Sequence, residues 1–166
     1  MIPPWILGTT GVAVALSVIV LAACRTSAEG SEHATQEVLA LEEIGGGVTS
    51  GVTESGLYVL RDQASFDALW RQHTRLSLPT PPTPEVDFES SMVVATFAGQ
   101  KATGGYGVRI EEVCHMPETA DRGSQIVVRT SETVPEADVM TTQMTTSPFH
   151  MVRVKRMDGD SVYAPR

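Results

Sequence analysis

The sequence predicts an α+β domain, an antiparallel β-sheet with one principal helix packed on it, behind a separate apolar N-terminal segment. Three observations carry this. Residues 92–97 form an apolar run of strand length. Residues 106–113 resume with Val108 and Ile110 alternating with Arg109 and Glu111, a period of two. Helical spacing occurs in one convincing stretch, 62–73, where Phe66, Leu69, Trp70 and His73 share a face.

The apolar run reads as a strand buried on both faces. A short loop with three glycines and Lys101 separates it from the next strand, so the two are expected to pair as a β-hairpin. Gly104 and Gly105 tolerate positive φ or close backbone approach. Turn chemistry alone accounts for them; the functional reading is a recognition loop with Lys101 and Tyr106 beside it.

The chain begins with an address. Residues 6–23 are almost wholly apolar and end Leu21-Ala22-Ala23-Cys24, which resembles the bacterial lipobox. Small residues fit a signal-peptidase groove and the thiol becomes a thioether to diacylglycerol. Ordinary secretory cleavage and an uncleaved membrane helix are the rivals, and the segment before residue 6 carries no Lys or Arg. The expectation is a lipoprotein signal peptide over 1–23, lipid attachment at Cys24 and a disordered polar tether over 24–36. Arg25, rather than Asp, follows the cysteine, which favours an extracytoplasmic outer-membrane anchor where the organism has that membrane. Lipidation of Cys24 leaves Cys114 as a lone thiol.

The domain is expected over 37–157. Residues 37–44 read as a first strand, the glycines from Gly45 to Gly56 as a flexible loop, and 57–60 as a strand pairing back. Asp62 or Ser65 caps the helix, Trp70 plugs it onto the sheet, and His73 reaches its last carbonyls. Pro79, Pro81, Pro82 and Pro84 impose an extended crossover, anchored by Phe88, with Asp87 bonding nearby amides. Beyond the hairpin, 125–129 is a short strand, and 134–144 is rich in Thr and Met without a period. Pro148 heads a last strand, 151–156, whose Arg153 and Lys155 suggest a sheet edge. Residues 158–166 read as a frayed tail. Cys114 fits as a buried apolar residue if a bulge near Glu112 resets the alternation.

The formal net charge is −8, and no basic patch offsets it, which argues against nucleic-acid binding. The four histidines, His33, His73, His115 and His150, are dispersed, and no C-x-x-C, H-E-x-x-H or G-x-S-x-G occurs. No cofactor, metal or catalytic residue is therefore assigned. His150, Asp87 and Cys114 are the one combination from which a nucleophilic site is conceivable.

The order of Trp70 in a helix, Val86-Asp87-Phe88, the strand 92–97, Thr103-Gly104-Gly105-Tyr106 and Thr146-Ser147-Pro148-Phe149-His150 resembles the C-terminal domain of the PrcB family of protease-complex-associated lipoproteins. Phe149 stands where the family pattern has tyrosine. The resemblance implies a non-catalytic accessory protein, anchored to the membrane by lipid, that binds and stabilises a protein partner such as a surface protease. The partner-binding surface is expected at Lys101, Thr103, Gly104, Gly105, Tyr106, Ser147, Pro148, Phe149 and His150, because the two glycines expose backbone and the aromatics Tyr106 and Phe149 each lie beside a turn. An envelope structural or small-ligand role, and a loop-wedge protease inhibitor built on the same two segments, are the alternatives.

Overall fold

The structure, a computed structural model, describes residues 36–165. The apolar segment, Cys24 and all of the tether except Gln36 lie outside the described residues. Two four-stranded sheets and one helix form three layers. The first sheet has the order β1 (Glu37–Val38), β5 (Gly107–Met116), β6 (Gln125–Thr133), β8 (Asp160–Pro165). The second has the order β2 (Glu42–Gly47), β7 (Phe149–Lys155), β4 (Ser91–Ala98), β3 (Ser55–Leu60). All pairings are antiparallel except β6 with β8. The expected α+β character holds, with two sheets in place of one.

The reading of 92–97 holds and explains the layering. Alternate residues of β4 point to opposite faces. Met92 and Val94 enter a core between the sheets with Leu39, Ile110, Val113, Ile126, Val128, Val152 and Val154. Val93, Ala95 and Phe97 face the other way and meet Phe66 and Leu69 of helix α1 (Gln63–Thr74). Phe66, fully buried, is the plug. Trp70 is only half-buried, and its Nε1–H donates to the Pro81 carbonyl at 3.1 Å, holding the proline segment against the helix. Phe88 packs on Phe66 at 5.9 Å between ring centroids. Asp87 accepts from the Glu89 N–H and the Ser90 hydroxyl, and these bonds keep its carboxyl below the usual range.

Asp62 caps α1 through the Ser65 N–H at 2.8 Å. At the other end the capping differs from expectation. The Gly51 N–H donates to the His73 carbonyl at 2.7 Å, and the His73 ring turns inward against Phe149. A side chain at Gly51 would run into the Gln72 carbonyl, so glycine is required by this close approach.

Six other expectations are corrected. β4 and β5 form no hairpin; residues 99–106 carry the chain from one sheet to the other. The expected first strand splits into β1 and β2, one in each sheet, and Gly45–Gly47 belong to β2 rather than to a loop. β3 pairs with β4, not with the first strand. β7 is an inner strand of the second sheet, and Arg153 and Lys155 pair with Glu42 and Glu37 instead of guarding an edge. The expected tail forms β8 from Asp160. The predicted bulge is present: the β5–β6 register shifts between Ile110 and Glu112, and Cys114 is fully buried. Burial, reinforced by the Glu112 carboxylate beside it, pushes the Cys114 thiol up.

Candidate functional site

The crossover loop between β4 and β5 is fixed by backbone bonds to the segment ahead of β7. Lys101 and Thr146 exchange N–H···O bonds at 2.8 and 2.9 Å. The Thr146 hydroxyl donates to the Thr103 carbonyl at 2.9 Å, and the Gly104 N–H donates to the Thr142 carbonyl at 2.9 Å. The Gln100 N–H donates to the Thr53 carbonyl, tying the loop to the approach of β3. Gly105 has φ +86°, and a Cβ there would press on Pro135. Gly104 is buried, and a Cβ on it would strike the Thr142 hydroxyl. Its glycine identity serves internal packing and leaves no backbone donor for a docking partner. The Lys101 ammonium lies 5.5 Å from the centroid of the half-buried Tyr106 ring.

The two predicted segments are thus joined through Thr103 and Thr146, but they present different surfaces. Lys101, Thr103, Gly105 and Tyr106 are at least partly exposed. Ser147, Pro148 and His150 are buried, and the half-buried Phe149 ring packs on His73 at 4.2 Å and over Gly47. Tyr106 and Phe149 therefore have separate partners. Exposed instead are Val134, Val139, Met140 and Met144, on the connector from β6 to β7. Met140 is 99% exposed, and Thr141 and Thr142 of the same connector touch the glycine pair. Sequence reasoning passed over these residues. Their signal was a Thr- and Met-rich stretch without a period.

His150 joins the two sheets. The Ile110 N–H, freed beside the bulge, donates to His150 Nδ1 at 3.0 Å. The proton of the neutral ring must then sit on Nε2, which lies 3.5 Å from Glu43 Oε2. Burial holds the His150 pKa below its ordinary value, partly opposed by Glu43. Asp87 bonds Glu89 and Ser90, Cys114 bonds Glu112, and His150 bonds Ile110. The three residues of the conceivable nucleophilic site are each engaged elsewhere. Among the described residues, no cluster of three or more His, Cys, Asp or Glu is placed to hold a metal ion.

The class this architecture defines is a two-sheet β domain with one helix on its outer face and a pinned loop pair at one end. Within it, residues 92–155 match the family model described as PrcB C-terminal. The resemblance read from the sequence is thereby shown from β4 through β7. Neither a curated protein nor a solved structure matches the chain.

Proposed function

We propose that this chain is an extracytoplasmic, lipid-anchored accessory protein that binds and stabilises a protein partner, with a protease complex as the leading partner class. The observation that carries the reading is the pinned loop pair. Lys101–Tyr106 is held rigidly by 142–146, and beside it Val134, Val139, Met140 and Met144 stand in solvent. A preorganised backbone lowers the loop-ordering cost of docking, and methionines adapt to irregular partners. The PrcB C-terminal match supports a protease-complex partner, and the Leu21–Cys24 pattern supports the anchor. Ser147, Pro148 and His150 are excluded from the contact surface by their burial.

A photo-crosslinking residue placed at Met140 on intact cells should capture one defined protein, and the same residue at exposed Glu118, at the far end of β5 from the pinned loops, should not. Tyr106→Ala should weaken that association by about 2 kcal/mol while the melting temperature stays nearly constant. Indiscriminate crosslinking from both positions would remove the reading. The anchor is tested separately: wild-type protein should incorporate labelled palmitate and Cys24→Ala should not. An unlabelled wild type ends the lipoprotein assignment.

A further inference from the structure

We infer that the outer edge of β3 is a docking edge for an extended, cationic peptide segment, which would join the second sheet as an added strand. This rests on the reading of the chain as a binding protein and names the form its partner takes there.

The backbone directions follow from two bonds at the ends of β4. The Ala98 N–H donates to the Pro148 carbonyl, and the Arg156 N–H donates to the Ser90 carbonyl. Even-numbered residues there turn their backbone toward β7, so odd-numbered ones turn toward β3. The register Gly56↔Phe97, Tyr58↔Ala95 and Leu60↔Val93 then supplies the bonded pairs. Leu57 and Val59 therefore turn N–H and C=O outward, where no described donor or acceptor meets them.

Open edges are normally guarded by charge, proline, a bulge or shortness. β2 carries Glu42 and Glu43 and a register shift, and β1 has two residues. β3 has none of these: its six residues, Ser-Gly-Leu-Tyr-Val-Leu, are uncharged and pair with β4 without interruption. Beside it lies a groove of about 400 Å³ lined by Ser55, Gly56, Leu57, Thr96 and Phe97, with Glu132 on its far side. An added strand sends alternate side chains toward such a groove. Glu132 is exposed and forms no ion pair among the described residues, and the chain carries a net charge of −8. A lysine or arginine on the incoming strand answers both. The groove is also continuous with the proposed partner surface: Gln100 is bonded to Thr53 just ahead of β3, and Glu132 lies two residues before exposed Val134.

The test titrates acetyl-Lys-Val-Thr-Val-Thr-Val-Lys-amide into the full-length protein and follows amide hydrogen exchange residue by residue. Protection should rise at Leu57 and Val59, whose amides are free, and change little at Tyr58, already bonded to β4. The same peptide N-methylated at every amide should give no protection. Glu132→Lys should weaken the cationic peptide by about threefold to tenfold, and replacing both peptide lysines by glutamate should do the same to wild type. Unchanged exchange at Leu57 and Val59 with millimolar peptide, or protection that survives N-methylation, overturns the proposal. If crosslinking at Met140 captures a partner while the titration fails, only strand docking falls. If the titration succeeds without capture, the accessory-protein reading falls alone.

Discussion

The two faces of the second sheet bury different chemistry. Between the sheets, the buried core is aliphatic side chains and Met92. On the helix side lie all four phenylalanines of the chain, Phe66, Phe88, Phe97 and Phe149, with Tyr58, Trp70 and the His73 ring. Two facing sheets are separated evenly, so short branched residues from both interdigitate along the gap. A single helix over a twisted sheet leaves uneven spaces, and large rings fill them in T-shaped, tilted and stacked contacts. The inter-sheet core should therefore tolerate the loss of one methyl, whereas the aromatic layer depends on individual large side chains.

The largest expected effect tests that contrast directly. Phe66→Ala should destabilise by about 3–5 kcal/mol, because the fully buried ring leaves a cavity among other rings. Between the sheets, Ile126→Val should cost only about 0.5–1.5 kcal/mol. Denaturant midpoints check both. Equal losses would mean the two layers are equally specific, and the comparison would fail.

A second expectation concerns pH, because each layer holds one buried histidine. Burial lowers the proton affinity of both His73 and His150. Between the lowered folded value and the ordinary 6.5 the unfolded chain is the better proton binder. Stability is then full above about pH 6.5 and is lost as the pH falls from there through the folded values. The surroundings separate the two rings. His73 faces Trp70, Phe97, Phe149 and the Ser50 hydroxyl. His150 faces Glu43 of β2 with Arg109 and Glu111 of β5, and the two carboxylates soften its resistance to protonation. Glu43→Gln should therefore steepen the loss of stability on acidification. Melting curves across that range decide it, and an unaltered profile would show that Glu43 does not reach the ring.

A smaller effect than that of Phe66→Ala lies at the rim of the aromatic layer. Trp70→Ala should cost about 1–2 kcal/mol, since the ring is half-buried and loses one bond to Pro81. A loss as large as that of Phe66→Ala would make Trp70 a central member of the layer.

Local patterns were legible in the sequence where one residue's neighbours decide its fate. The cap at Asp62, the two-faced burial of β4, the anchor at Phe88, the bonding of Asp87 and the bulge ahead of Cys114 were all read this way. Pairing was not legible. A loop of eight residues with three glycines fits a hairpin as well as a crossing between sheets, and only bonds to the distant Thr142 and Thr146 decide between them. The charged pattern of Arg153 and Lys155 likewise lacked its acidic partners, Glu42 and Glu37, more than a hundred residues earlier. At the candidate site, Lys101 and Tyr106 could be picked out by type. The burial of Ser147, Pro148 and His150 could not, because it depends on which sheet face each side chain meets.

The crossing from β4 to β5 also governs how the domain reaches this state. With no hairpin there, the second sheet must join β2 to β7, pairing Glu42 with Arg153, and β4 to β7, pairing Ser91 with Lys155. The first closure spans most of the domain and the second about half of it, and chain entropy is surrendered before either ladder stabilises anything. Such a chain folds slowly compared with a helical domain of the same size, and β4 stays without its central partner until β7 has been made. During that interval the edge of β4 that β7 will cover is open, which makes this apolar strand the aggregation-prone element of the folding chain.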